Sequence, residues 1–490
     1  MKVAISYPPI SKGGGTPLLA QNRQFQWFNA PTYIYPMVPA YAATLLRQEG
    51  HEVVWDDGIA EEKTYEQWLK GVVSRRPEII ALETKTPLVK RHWRIIDDLK
   101  RHLPDTRVVL MGDHVTALPL ESFEKSKVDA VLTGGDFDFL LLNLVRWLDG
   151  RGELEPGIFY RDSGYVKSTG EFRLTHDLNS LPFIDRELTN WRLYAYKNGN
   201  FKRTPGTYTM VGRDCWWRKD GGCTFCAWTQ LYPNFRVRKP ELLVGEVEFL
   251  VERYKVREVF DDTGTFPAGG WLRKFCRLAI ERRLGEKVYL GCNMRFGACT
   301  FDDYKLMKRA GFRMLLFGLE SASQETLSKI NKGLTVEEIV DSCRLARLAG
   351  LEPHLTIMVG YPWESKEEVW ETFNLAKKLF ERGWAHTLQA TLMVPYPGTK
   401  MFQYCRDNGL LTTLDWNDYD MRRLVTKSPL GERDVKEITQ AMYKLFFNPK
   451  YMLRRLCHIR RLEDLSFIGK GFIKVIAHIK DFTHESGGSC

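Results

Sequence analysis

Twice along this chain, short β-rich runs alternate with stretches whose apolar residues recur at helical spacing, and no other feature constrains the fold as strongly. Between residues 1 and 150 the runs are KVAISY, HEVVWDD, EIIALET, RVVLMGD and DAVLTGG. Between them lie PAYAATLLRQEG, TYEQWLKGVVSRR, KRHWRIIDDLKRH and PLESFEKSK. The alternation predicts a Rossmann-like open parallel sheet covered on both faces. Ligands of such sheets sit at the carboxyl ends of the strands, here YPP, ETKTP, MGDHVTALP and TGGD. Glycines and small hydroxyl residues there admit a flat ligand to the backbone, or are ordinary loop punctuation.

A second series starts at about residue 206. TYTMVGRDC, REVFDDTG, KVYLGCNMR, FRMLLFGLE, PHLTIMVGY and TLQATLMVPY are six strand candidates, each followed by a helical segment. Six βα units over 206–410 suggest a barrel or open partial barrel with its chemistry at the carboxyl ends. Residues 151–205 read as a short hairpin and linker, and 411–490 as a helical, basic C-terminal region. The fold class is therefore α/β, with two or three domains expected for 490 residues.

Charged residues make up 27% and hydrophobic ones 44%, the balance of a soluble globular protein. No run of eighteen uncharged apolar residues is present, and MKVAISYPPI lacks the features of a signal peptide. The first 214 residues hold no cysteine, which speaks against a disulfide framework and for a cytoplasmic location. A net charge of +10 permits nucleic acid, an anionic cofactor or an anionic membrane surface as partner and selects none of them.

The stretch RDCWWRKDGGCTFCAW brings Cys215, Cys223 and Cys226 together after the first strand of the second series. Structural zinc wants four protein ligands, and the chain has no second Cys-x-x-Cys; His354 or His386 could complete a site, although nothing in the spacing asks for it. A cubane iron–sulfur cluster also usually takes four cysteines. With three, one iron keeps an open position for the amino and carboxylate groups of a small molecule. Cys276, Cys343, Cys405 and Cys457 fall in helical patterns and read as small buried hydrophobes.

A three-cysteine cluster ending in Cys-x-aromatic-Cys, together with FDDTGTF, GLESASQETLSKINKGLTVEEI, IMVGYPWESKEEVWETFNLAKK and VPYPGTKMF in that order, resembles the radical S-adenosylmethionine superfamily. With YPP, MGDHVTALP and LTGGDFDFLL, the chain to about residue 410 resembles the subgroup with an N-terminal cobalamin-binding domain. The resemblance implies a partial (β/α)6 barrel, a 4Fe-4S cluster on Cys215, Cys223 and Cys226, and S-adenosylmethionine against Phe225, Asp262, Asn293, Arg295, Glu320, Ser323 and Gly360. It implies cobalamin against Tyr7, Pro8, Thr84, Thr86, Gly112, His114, Gly134 and Gly135. Two departures stand out. Seven residues, not the usual three, separate Cys215 from Cys223, so the loop carrying Trp216, Trp217 and Arg218 either covers the cluster or is a solvated insertion. The cobalt-ligating Asp-x-His-x-x-Gly pattern is absent, Asp113 and His114 being adjacent.

The implied activity is hydrogen abstraction by a 5′-deoxyadenosyl radical followed by methylation of an unactivated carbon, fed by an external flavodoxin- or ferredoxin-like electron donor. The alternatives are radical cyclisation, rearrangement or carbon–carbon coupling without methyl transfer, and a cobalamin or iron–sulfur sensor. A transfer-RNA methylthiotransferase ranks low, since the N-terminal cysteines of that class are missing. Residues 450–480 mix Lys and Arg with apolar residues, which fits a helix packed on the barrel or lying on an anionic membrane, the latter pointing to a lipid substrate.

Overall fold

The computed structural model describes residues 1–10, 15–17, 27–28, 32–457, 459 and 462–481. Its first sheet holds the five expected strands, β1 (Lys2–Tyr7), β2 (Glu52–Asp57), β3 (Ile79–Glu83), β4 (Arg107–Met111) and β5 (Ala130–Leu132). They lie in the order β2-β1-β3-β4-β5, all parallel. Val3, Ile5, Ile79, Ile80, Val108 and Val109 are fully buried, as expected of strands with helices on both faces. The hairpin β6 (Ile158–Asp162) and β7 (Tyr165–Ser168) does not stand between domains. It pairs antiparallel with β5 and extends the same sheet, supplying a partner to an edge that would otherwise be open.

The second sheet is an open parallel curve of six strands in sequential order. They are β8 (Gly206–Thr209), β9 (Glu258–Asp261), β10 (Tyr289–Met294), β11 (Phe312–Glu320), β12 (Glu352–Val359) and β13 (Thr387–Leu392). Period-2 alternation sorts β11: Leu315, Phe317 and Leu319 are fully buried in the core, while Met314, Leu316, Gly318 and Glu320 face the barrel interior. Side-chain caps start the crossover helices. Thr300 with Asp303, Thr335 with Glu338 and Ser365 with Glu368 each form a reciprocal capping box.

The C-terminal region is helical, and its last elements pack on the barrel: α1 (Glu432–Lys444), α2 (Pro449–Cys457) and α3 (Leu462–Asp481). The first turn of α3 is tied down by Arg203, which meets Asp464 at 2.8 Å, and by Arg257, which takes Glu463 in a two-pronged pair at 2.7 and 3.1 Å. Farther along, Lys474 Nζ donates to Thr32 Oγ1 at 2.8 Å. The helix thus crosses the open flank of the barrel and closes it. Cys276, Cys343 and Cys405 are buried as expected, but Cys457 is exposed because it ends α2 on the solvent side.

Candidate functional site

The two sheets share one cavity of about 1140 Å³. Lys85 and Asp113 reach it from the carboxyl edge of the first sheet, and Cys215, Cys223 and Cys226 reach it from the mouth of the barrel.

The cysteine loop is held from both sides. Asp214 adopts a left-handed backbone (φ 80°) and receives Arg218 in a bidentate pair at 2.6 and 2.8 Å. Cys215 Sγ lies 2.9 Å from Thr265 Oγ1. The extra residues form a 3-10 turn, Trp216–Asp220, that docks onto the segment after β11. Trp217 Nε1 donates to the Asn331 carbonyl at 2.8 Å, and Asn331 Nδ2 donates to the Asp220 and Gly222 carbonyls at 2.8 and 2.9 Å. The Trp217 ring lies 3.9 Å from the Arg295 guanidinium. The lengthened loop is therefore a wall of the site and not a solvated insertion.

Burial raises the thiol pKa of all three cysteines, that of Cys226 to about 12. Left alone they stay protonated, so a metal that binds here must displace their protons. Lys332, Arg295 and Arg218 all favour the thiolate of Cys223, which suits an anionic cluster. Among the described residues no three Cys, His, Asp or Glu side chains converge as they would on a single ion. The donor set is three soft sulfurs, which suits an iron–sulfur cluster.

Around the cysteines, five sequence-predicted residues share the cavity wall: Phe225, Asn293, Arg295 and Glu320, with Cys223 between them, and a sixth, Lys332, was not foreseen. Glu320 ends β11 in a left-handed conformation (φ 63°) and pairs with Lys332 at 2.8 Å, both side chains about nine-tenths buried. Burial works against charge on Lys332, but Glu320 and Cys223 overcome it and lift its pKa. Gly318 makes the room, since a Cβ there would come within 2.6 Å of Lys332 Nζ. Arg295 donates to the Lys332 and Gly333 carbonyls, and Asn293 Nδ2 donates to the Thr263 carbonyl at 2.8 Å. Two left-handed non-glycine residues, Asp214 and Glu320, thus flank the cysteines, as strained backbone often does at functional sites.

Three other predicted residues lie off this wall. Asp262 is buried beyond the end of β9, its amide donating to the Thr209 carbonyl. Ser323 caps the helix Gln324–Lys329 and donates to Glu368 Oε1 at 2.7 Å. Gly360, at φ 94°, packs against Leu424. Beside Asp262, Asp261 is spent on structure, accepting from Thr209 Oγ1, Val211 N and Thr263 N at 2.9 to 3.1 Å. His354 and His386 line the cavity at the opposite end from the cysteines, Tyr396 lines it too, and Tyr361 does not.

The residues singled out on the first sheet are likewise packed against protein. Tyr7 Oη donates to Glu83 Oε2 at 2.6 Å, and Pro8 follows it, buried. Thr84 Oγ1 meets His92 Nδ1 at 2.7 Å. His114 sits between the rings of Trp93 and Trp416, with Nδ1 3.2 Å from Thr86 Oγ1 and Nε2 3.1 Å from Glu121 Oε2. Gly112 lies against the Thr84 carbonyl, Gly134 against the Phe172 ring and Gly135 against the Tyr232 ring. The neighbours Lys85 and Asp113, 3.5 Å apart, are what this edge presents to the cavity, with Trp228, Tyr396 and Met421 on the barrel side. No histidine of the first sheet lines it among the described residues.

Residues 210–376 match the Radical SAM superfamily. The uncharacterized methyltransferase PH0819 of Pyrococcus horikoshii is 29% identical over 91% of this chain and 94% of its own length. The anaerobic magnesium-protoporphyrin IX monomethyl ester cyclase of Cereibacter sphaeroides is 26% identical over 86% of this chain and 68% of the cyclase. Among solved structures, the radical S-adenosylmethionine methyltransferase TsrM of Kitasatospora setae, with cobalamin and a [4Fe-4S] cluster bound, superposes with a TM-score of 0.67. It has 15% identity and covers 97% of this chain and 99% of TsrM.

Proposed function

We propose that this chain, whose residues 210–376 match the Radical SAM superfamily, is a cobalamin-dependent radical S-adenosylmethionine enzyme that methylates an unactivated carbon. The observation that carries the reading is one cavity walled by a buried cysteine trio, by an Arg295–Lys332–Glu320 charge cluster and by the carboxyl edge of a Rossmann-like sheet. When bound, the cluster with S-adenosylmethionine supplies a hydrogen-abstracting 5′-deoxyadenosyl radical, and cobalamin supplies a methyl group.

Cys215, Cys223 and Cys226 hold the cluster and leave one iron for the co-substrate. Arg295 and Lys332 suit its carboxylate, Glu320 its ammonium, and the Phe225 ring its adenine. Lys85 and Asp113 would meet cobalamin at the carboxyl edge of the first sheet, and no histidine of that sheet among the described residues would be at hand to bind its cobalt. Trp217 and α3 wall the chamber, which would shield a carbon radical formed there from dissolved oxygen and other outside reactants. An external one-electron donor reduces the cluster.

Anaerobic reconstitution tests this directly. Four irons and one cobalamin per chain, S-adenosylmethionine cleavage, and loss of both iron and cleavage in Cys223→Ala are expected. Zinc in their place, or full turnover by Cys223→Ala, would overturn it. The cyclase relative favours a second reading, ring closure without methyl transfer. A labelled methyl group arriving in the product supports methylation; 5′-deoxyadenosine alone supports cyclisation.

For a lipid substrate, contact with an anionic bilayer through 450–480 is part of the same proposal. Leu453, Leu456, Leu465, Ile473 and Ile476 are 46 to 66% exposed. None of the described helices is long and apolar enough to cross a membrane. Flotation with phosphatidylglycerol vesicles that is lost when Leu453, Leu456 and Leu465 become serine supports it; no flotation removes it.

A further inference from the structure

The cofactors account for only one end of the cavity. Arg313 and Glu320 stand at opposite ends of β11, seven residues and roughly 23 Å apart at the rise of a parallel strand, and both touch the same cavity. Between them the wall is largely apolar, with Met314, Leu316 and Met358 on the strands and Phe467 and Phe472 on α3, while Thr356, Gln389 and Thr391 add polar groups.

At the far end the buried carboxylates are taken by arginines. Glu258 is taken by Arg313, Glu352 by Arg313 at 2.5 Å, and Asp464 by Arg203 at 2.8 Å. Arg455 of α2 also faces the cavity, partly buried, with its guanidinium 6.0 and 5.9 Å from the rings of Tyr451 and Phe467. Among the described residues it meets no carboxylate within ion-pair distance, and its hydrogen-bond partner is the His386 ring. Burial holds His386 well below its ordinary pKa, and the same ring lies 3.4 Å from Glu352 Oε2, a carboxylate already taken by Arg313. Lys474 repeats the pattern on α3, its hydrogen-bond partner among the described residues being the Thr32 hydroxyl. Cations half out of water without a counter-ion are costly, and a guanidinium is shaped for a two-pronged carboxylate or phosphate.

We propose that the substrate is an elongated amphipathic anion whose carboxylate or phosphate terminus pairs with Arg455, with its apolar body along the barrel interior and the reacting carbon at the cysteine end. This rests on the enzyme reading above and names its substrate class.

Binding tests it without turnover. Dodecanoate, dodecyl phosphate and uncharged dodecanol are titrated calorimetrically into the anaerobically reconstituted holoenzyme, below their micellar concentrations. At least a tenfold preference for one of the two anions over dodecanol is expected, the tighter anion naming the terminus. Arg455→Gln removes the preference while dodecanol binding persists, and Arg455→Lys restores part of it. Iron content serves as the folding control for both variants. Equal affinity for anion and alcohol, no saturable binding of either anion, or an undiminished preference in Arg455→Gln would overturn the proposal. Failure to cleave S-adenosylmethionine would instead sink the enzyme reading and leave this preference measurable.

Discussion

Lys332 and Glu320 show how much of the site depends on single side chains. Each neutralises the other in a place where neither could stay charged alone. Lys332→Met strands the carboxylate, and losing one partner of a buried pair costs on the order of 3–5 kcal/mol. The variant is expected to retain its iron, bind S-adenosylmethionine at least tenfold more weakly in equilibrium dialysis, and unfold earlier in denaturant. His176 supplies a pH dependence. It stacks on Phe139 and reaches Asp136 at 3.2 Å and Glu155 at 2.9 Å. Burial alone would discharge it, but the two carboxylates lift its pKa to about 9. A raised folded-state pKa stabilises below the unfolded value near 6.5, and that stabilisation is lost as pH rises through 9. After allowing for solvent screening of a partly exposed group, a loss on the order of 1–2 kcal/mol is expected in urea titrations between pH 6.5 and 9.5, and none in His176→Gln. The cysteines were legible in the sequence because their spacing is local. Lys332 was not, because only folding brings the residue after a helix beneath a strand end. Ser323 looked like a ligand contact because a serine beside a strand end reads the same whether it meets substrate or caps the next helix.

At the level of elements, every strand of both parallel series was visible, since buried parallel strands are near-continuous apolar runs bounded by turns. The pairing of β6 with β5 was not, because that register is set by a distant free edge. The lengthened turn Trp216–Asp220 was ambiguous for a related reason: its partners, Asn331 and Arg295, lie about a hundred residues away in sequence. As a docked cover, it makes a prediction that a solvated loop would not. Trp217→Ala opens the cluster to solvent, so its 400 nm absorbance is expected to bleach several-fold faster in air while Lys219→Ala bleaches at the parent rate.

For the molecule as a whole, buried charge joins the two sheets. Arg213 passes from the barrel into the first domain to meet Asp138 at 2.6 Å, and Arg236 grips Asp136 at 2.7 Å with both terminal nitrogens. Tyr232 Oη adds a bond to the Gly135 carbonyl at 3.0 Å. Replacing Arg213 with Met leaves Asp138 buried and unpaired. The parent is expected to unfold in one calorimetric transition and the Arg213→Met variant in two, one for each sheet. The glycines at the carboxyl edge were read as room for a ligand, whereas the Thr84 carbonyl lies against Gly112, the Phe172 ring against Gly134 and the barrel's Tyr232 ring against Gly135; a glycine in sequence says that something approaches the backbone, not what does.

The position of α3 also bears on how the protein is made. A ribosome delivers the cysteines long before it delivers Phe467 and Val475, which complete the chamber. Throughout that interval the unfinished barrel is open along one flank. Iron and sulfide can enter freely then, and oxygen can as well, so metal loading competes with elongation and the nascent chain is the form most easily damaged.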